Sequence, residues 1–423
     1  MRKRTTKVTA LSGSIRSRYP VEHFNRKLPQ LKSFAGVYEH IYSLSSKNSI
    51  SNTEGIVIAA SFGAMEQGCD IDLFRLVDLF PREPDRPISP DACPSLESSI
   101  RACQGLIIGT PVYFGDRSSL VESAFDLIAG LGYLPLKGKV AGFVSVGAKR
   151  NGGQETTNVL GLQVCLSLGA NLVGNGPPTS QYGGTAVAGN PGAILDDNFG
   201  LQTSYGTGSR VAVLSQILPI HELPSYKPRV MVLYPKRPTV EIQERIEHLV
   251  SVNAEIDAVF LEDFKLGRCL GCIACPNPTP NESVCVQTDD MVEIRERMLR
   301  SEGMLIVDAP GRRIDGAKYQ IFVERTRSMR RNNFELSNLP IGLIQFSSVF
   351  SGSLFFLRGT NFALRHNAIM IGPGFRGTPP NHRCDDNDEL AGYIDHFVDQ
   401  VIRYRPMRLD CLSNLRYEAV GYL

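Results

Sequence analysis

The sequence predicts an α/β protein: a doubly wound parallel sheet, built twice in tandem. Short apolar runs ending in Gly or Ser alternate with amphipathic helical stretches along the chain, the order that produces parallel sheets through right-handed crossovers. The same order of elements starts again after a Pro-containing stretch without periodicity. The 423 residues also exceed what one ordinary core holds. The boundaries read as 1–219 for a first domain carrying an insertion at 18–48, 220–228 for a linker, and 229–423 for a second domain.

In the first half, VTALSGS is a short apolar run that breaks at Gly and Ser, as a buried strand followed by a turn would. SNTEGIVIAASFGAMEQG predicts a helix capped by Asn52 or Thr53, with Glu54 in its first turn and Gly68 near its end. DIDLFRLVDL alternates as a strand, and SLESSIRACQ is a short helix. GLIIGTPVYFG is a buried strand running into a loop, followed by the amphipathic helix SSLVESAFDLIAGL. KVAGFVSVG is the fourth strand, ETTNVLGLQVCLSLG the fourth helix, ANLVGNG the fifth strand and TGSRVAVLSQIL the closing helix. Five strands in this order suit a flavodoxin-like sheet, which binds ligands in the loops beyond the carboxyl ends of its strands.

Composition narrows the function. Lys and Arg number 45 against 43 Asp and Glu, a formal charge of +2, which argues against a dedicated nucleic-acid binder. No apolar run approaches the ~18 residues of a membrane span. The basic start MRKRTTK leads into a run too short for a signal-peptide core. Ten cysteines without secretory features point to a reducing cytoplasm. The seven histidines show no metal-binding spacing.

The loops after the strands hold the candidate site. Ser12, Ser14 and Arg16 follow strand one, and Ser51, Asn52 and Thr53 precede the first helix. Hydroxyls, amides and a helix N-terminus are what a phosphate requires, although a turn and a cap use the same residues. TPVYFGDRSSL places Pro111, Tyr113 and Gly115 where a flat ring can lie on backbone. VGAKRNGGQETT has Gly147, Gly152 and Gly153, which permit close backbone approach. Taken together, SGSIR, SNT, TPVYFGD and GGQE resemble the NADPH-dependent FMN reductase family over roughly residues 7–217. The resemblance implies that Ser14, Arg16, Ser51 and Thr53 hold the FMN phosphate. It also implies that Pro111, Val112, Tyr113, Phe114 and Gly115 flank the isoalloxazine, with Gly147, Gly152 and Gly153 on its other edge. Two stretches depart from the family pattern. About 34 residues separate Arg16 from Ser51, room for a lid, a substrate wall or a partner surface. The stretch from Pro177 to Tyr205 reads as a long loop. Such loops are often functional, which brings Tyr182, Gly183 and Gly184 toward the flavin; an unstructured surface loop is the competing reading.

The second half repeats the order: RVMVLYP, VEIQERIEHLVSV, EIDAVFLED, DDMVEIRERMLRSE, GMLIVDAPG, GAKYQIFVERTRSM, IGLIQFSSV, LFFLRGTNFALRHN, AIMIGPG and a closing helix. Where the first half has SGSIR it has LYPKRPT, so the second copy reads as degenerate for flavin binding. Its distinguishing feature is RCLGCIACPNPTPNESVC, with Cys269, Cys272 and Cys275 at every third position and Cys285 after nine more residues. Thiolates at C-x2-C-x2-C spacing wrap one corner of a [4Fe-4S] cluster. Unligated buried thiols, a zinc site or a disulfide compete, though zinc usually takes its thiolates as two separated pairs. A cysteine loop at this place resembles the iron–sulfur flavoproteins, FMN reductase relatives in which a cluster of one subunit sits near the FMN of its partner. The tandem chain then reads as a fused pair, with flavin from the first copy and cluster from the second. Arg312, Arg313, Arg325, Arg327, Arg330 and Arg331 read as a solvated helix face, with docking of an acidic redox partner or nucleotide phosphates as the alternative.

The expected function is an FMN-dependent oxidoreductase. It passes electrons between NAD(P)H or a redox-protein donor, FMN, and the cluster or a small-molecule acceptor, with a homo-oligomer as a further expectation. Its rivals are a cluster-free quinone, nitro or azo reductase, a non-enzymatic electron carrier, and a scaffold that binds no cofactor.

Overall fold

The computed structural model describes residues 5–16, 26, 28–45, 50–82, 87–217, 225–272, 275, 285–309, 316–346, 352–377 and 385–410. The chain divides into two compact units, Met1–Gly176 with Ser180–Pro219, and Pro177–Thr179 with Ile220–Leu423. Residues 220–224 of the expected linker lie outside the described residues, as do 18–25, 27 and 46–48 of the insertion.

Among the described residues the first unit has six strands: β1 (Lys7–Ser12), β2 (Asp70–Arg75), β3 (Gly105–Pro111), β4 (Val140–Gly147), β5 (Asn171–Leu172) and β6 (Gly184–Val187). Their order is β2-β1-β3-β4-β5, every pairing is parallel, and β6 also pairs with β4. This is the flavodoxin-like order. β3 and β4 are buried along nearly their whole length, which is why they read as continuous apolar runs instead of alternating ones.

The helix Asn52–Glu66 shows almost no polar face, and its position explains this. Thr53 through Ala64 are buried throughout. The helix Asn198–Ser215 crosses it so closely that a Cβ on Gly208 would fall 1.7 Å from the Ala60 carbonyl, and one on Gly63 would fall 2.2 Å from that of Tyr205. From the insertion, the helix Phe34–Ser45 covers a further side through Val37, Ile41 and Leu44, and the Tyr38 hydroxyl donates to the Leu195 carbonyl at 3.0 Å. The described part of the insertion is therefore a docked helix.

The stretch Pro177–Tyr205 is not one long loop. Asn171 and Leu172 pair with Val140 and Ala141; after a detour, Gly184–Val187 pairs with Val144–Gly147 in the same lane. Glycines make the detour possible, since a Cβ on Gly174 would meet the Gln181 carbonyl at 2.0 Å and one on Gly183 the Phe143 carbonyl at 2.0 Å.

In the second unit the strands are β7 (Arg229–Tyr234), β8 (Glu255–Phe260), β9 (Gly303–Asp308), β10 (Pro340–Phe346), β11 (Ile369–Met370) and β12 (Phe375–Gly377). Their order is β8-β7-β9-β10-β11, again parallel. The fifth lane is split as in the first unit, with β11 on the start of β10 and β12 on its end. The break falls at the same point of the strand order in both units.

His366 is buried in this unit, with Nε2 2.9 Å from the Thr326 hydroxyl. Burial, then the charges of Arg330 and Arg365, push its pKa down to about 3. The unfolded chain takes up a proton near pH 6.5 that the folded unit refuses until about pH 3. Stability is therefore expected to be fully present above pH ~6.5 and to fall as pH drops toward 3, by an amount on the order of a few kcal/mol. Denaturant melts across that range should show the slope, and His366→Gln should flatten it.

Candidate functional site

Because every strand of the first unit is parallel, the loops after β1, β3, β4 and β6 emerge at one edge of its sheet. Hydrogen bonds join them in sequence. Gly13 N–H donates to the Gly109 carbonyl at 2.8 Å, and Ser118 Oγ donates to the Gly13 carbonyl at 2.9 Å while capping the helix Ser119–Ala129. Val112 N–H donates to Val146 at 2.9 Å, and Ala188 N–H to Gly147 at 2.9 Å. Asn52 Nδ2 donates to the carbonyls of Ala188 and Asn190, tying the loop after β6 to the start of the helix Asn52–Glu66.

The β1 loop has the features of an anion cradle. A Cβ on Gly13 would fall 2.4 Å from Val121 Cγ2, so only glycine lets the backbone pass the neighbouring helix. Ser12 Oγ is buried without a hydrogen-bond partner among the described residues. Ser14 is buried and accepts from Arg16 N–H at 3.3 Å, while Arg16 itself is exposed. A buried orphan hydroxyl in a loop opened by glycine is what a phosphate would satisfy.

Ser51 and Thr53 sit differently from the expectation. Ser51, and not Asn52 or Thr53, is the N-cap: it accepts from Glu54 N–H at 3.2 Å, while Glu54 Oε2 accepts from Ser51 N–H at 3.0 Å, a complete capping box. Thr53 is buried. Glu54 also pairs with Arg75 at 3.0 Å, both side chains buried, so its carboxylate does not stand unbalanced at the helix N-terminus. Ser51 and Thr53 are thus placed first as parts of the helix start.

The ring loop is a tight turn. Tyr113 and Asp116 exchange backbone hydrogen bonds of 2.8 and 2.9 Å, with Phe114 at φ 53° and Gly115 at φ 78° between them. Pro111 and Val112 are half-buried, whereas the Tyr113 and Phe114 rings stand exposed. Gly153, at φ 98°, approaches this turn so closely that a Cβ on it would lie 2.7 Å from the Gly115 Cα. Gly147 is pressed against Gln154, whose Nε2 donates to the carbonyls of Lys149 (2.7 Å) and Ala186 (3.1 Å). Gly152 closes a turn with its N–H on the Lys149 carbonyl at 3.0 Å. The two loops thus form one shelf of exposed backbone and aromatic edge, a shape suited to a flat ring.

Tyr182 is not on that shelf. It precedes β6, whose first residue, Gly184, pairs with Val144 midway along β4, and so stands short of the carboxyl end. The residues that reach the edge are Val187 to Asn190. Sequence reading missed Ser118 and Gln154, which hold the loops together, and it read Asn52 as a cap where it ties two loops. Gln154 was visible only as the residue after two glycines.

A model of the NADPH-dependent FMN reductase family matches residues 42–182, beginning inside the insertion and leaving β1 and its loop outside the match. An iron-sulfur flavoprotein of Methanocaldococcus jannaschii is 33% identical over 178 residues, which are 40% of this chain and 92% of that protein. The chain belongs to the NADPH-dependent FMN reductase family. It is a flavin-dependent oxidoreductase with FMN as its cofactor. An NAD(P)H dehydrogenase (quinone) of Caulobacter vibrioides is 30% identical over 39% of this chain and 92% of that protein. The WrbA-like protein of Agrobacterium tumefaciens, a solved structure, aligns at 17% identity with TM-score 0.30, over 50% of this chain and 97% of that one.

In the second unit of this reductase the place of the β1 loop is filled. Arg237 pairs with Asp263 at 2.5 Å and lies over the Phe260 ring, which stacks on Tyr234 at 4.8 Å. No glycine or hydroxyl cradle remains there. The counterparts of the ring and glycine loops, residues 310–315 and 347–351, lie outside the described residues.

The cysteine loop follows β8 in this unit. All four thiols are half-buried and free. Burial raises the Cys275 pKa, and the sulfurs of Cys285, Cys272 and Cys269 raise it further against the opposing charge of Arg327. Among the described residues no three Cys, His, Asp or Glu side chains are gathered tightly enough to hold a metal ion. In donor chemistry the set nevertheless fits an iron–sulfur cluster, since four cysteine sulfurs on one loop, three of them at C-x2-C-x2-C spacing, are the ligand type such a cluster takes. In the first unit Cys93 stands before the corresponding helix, buried and with its pKa raised by that burial, an inert thiol. Beside the four-cysteine loop runs an open groove of about 880 Å³, lined by Asp263, Lys265, Val286, Gln287 and Lys318 among others.

The arginine group does not form a solvated face. Arg325 and Arg330 are buried, and Arg312 and Arg313 lie outside the described residues.

Among the described residues no helix is long and apolar enough to cross a membrane.

Proposed function

We propose that the first unit holds FMN with its phosphate in the Ser12–Arg16 loop and its ring on the shelf of Pro111–Gly115 and Gly147–Gly153. We further propose that Cys269, Cys272, Cys275 and Cys285 hold a [4Fe-4S] cluster, and that NAD(P)H is the electron donor. The observation that carries the flavin assignment is the Gly153–Gly115 approach, which brings two glycine loops together beside an orphan buried hydroxyl at Ser12. When bound, FMN supplies acceptance of a hydride and onward release of electrons. The chain's part is to hold the phosphate, to present an open face beside the exposed Tyr113 and Phe114, and to align the donor. Such transfer needs alignment and not a general base. The groove beside Cys285 gives a small acceptor a place to approach the sulfurs. A relative named as an iron-sulfur flavoprotein supports the cluster reading. A cluster-free quinone reductase is the second reading, favoured by the separated thiols and by the Caulobacter relative.

Anaerobic mixing with NADPH or NADH tests the donor. Rapid bleaching of the flavin bands is the expected result, and flavin that stays oxidised with either nucleotide contradicts it. A quinone that reoxidises the flavin equally well in iron-free protein would favour the second reading.

A further inference from the structure

The cysteine loop has two limbs, one entering through Gly267 before Cys269 and one leaving through Asp289 after Cys285. A single buried side chain ties them together. Arg325 Nη1 donates to the Gly267 carbonyl at 2.9 Å and to Asp289 Oδ2 at 2.5 Å, and Nη2 donates to Asp289 Oδ1 at 2.8 Å. Asp289 Oδ2 also accepts from Gly267 N–H at 2.7 Å, which closes the ring between the limbs. The Arg325 side chain is 1% exposed, a costly place for a cation. Arginine keeps its charge even when buried, and the Asp289 carboxylate balances it. Two of its nitrogens are used in the clamp. The third, Nε, is buried without a hydrogen-bond partner among the described residues.

We propose that Arg325 is a positioning residue for the cluster: it clamps the two limbs of the cysteine loop through Asp289 and holds a fixed positive charge at the base of that loop. This rests on the reading of the four cysteines as cluster ligands. Arginine suits the role because its planar fork engages carboxylate and carbonyl together and still leaves a donor; lysine has the charge without the fork. A cluster bound by four thiolates is anionic, and its reduction potential rises with nearby positive charge and hydrogen bonds to its sulfurs. Groups behind metal ligands typically contribute ~10–100-fold to metal affinity.

The test compares Arg325→Gln and Arg325→Lys with the unaltered protein. Iron and sulfide per chain, resistance of the iron to a chelator, and the midpoint of the iron signal in a redox titration are measured, with FMN content as the control for folding. Arg325→Gln is expected to lose iron to chelator ~10–100-fold more readily and to move the midpoint to more negative potential. Arg325→Lys is expected to recover the midpoint in part but not the chelator resistance, which keeps the test open if the Gln variant fails to fold. Iron-bearing variants with unchanged midpoint and chelator resistance overturn the role of Arg325 while leaving the cluster standing. Unaltered protein without iron overturns both.

Discussion

Replacing Cys275 with Ser is expected to abolish iron and acid-labile sulfide in the purified protein and to leave its flavin in place. The effect is large because Cys275 is one of the three cysteines of the C-x2-C-x2-C run, whose thiolates would each hold an iron. A serine hydroxyl offers neither the charge nor the softness of a thiolate, so the substitution removes a ligand with little change of shape. The flavin should survive because the proposed FMN loops all lie in the first unit, whereas Cys275 belongs to the second. Iron assays and a visible spectrum on the same sample check both halves. Retained iron would mean that the cysteines are structural thiols, and joint loss of flavin would mean that the two sites are not independent.

Gly153→Val is expected to do the reverse, removing FMN and keeping iron. Gly153 combines a left-handed backbone at φ 98° with a Cβ position only 2.7 Å from Gly115. A left-handed residue with a Cβ costs roughly 1–2 kcal/mol, and forced contact adds roughly 1–3 kcal/mol. The loop is at the protein surface and can relax when empty. The cost then falls on flavin affinity, with a loss of at least ~30-fold if only about 2 kcal/mol is felt. Gly138→Ala is the control. Gly138 has φ 75° but nothing within 4 Å of its Cβ position, and it lies before β4, away from the shelf. It should lower stability slightly and leave FMN affinity unchanged. Equal loss of flavin from both variants would show that general backbone strain, not the shelf, sets the affinity.

Much of the first unit was legible because its strands are buried on both faces and end in Gly or Ser. β1, β3 and β4 stand where the apolar runs lie, and the glycines of their loops sit at the expected edge. The helix cap was legible in principle, since Ser51 and Glu54 have capping-box spacing, but Asn52 and Thr53 are equally good caps by residue type. β6 was not legible. Four small residues between glycines give no alternation, and only pairing with β4 makes them a strand. Tyr182 was misplaced for the same reason. Arg325 was hidden by its neighbours: an arginine in a basic run looks solvated until its partner, 36 residues earlier in the sequence, is found against it.

The most direct test of the account is the content of the unaltered protein purified without oxygen: FMN, iron and sulfide assayed on one sample with its visible spectrum. The account predicts flavin together with about four irons and matching sulfide per chain. Flavin with no iron would contradict the cluster and leave a plain FMN reductase with a cysteine-rich loop, and iron without flavin would contradict the shelf built by Gly115 and Gly153.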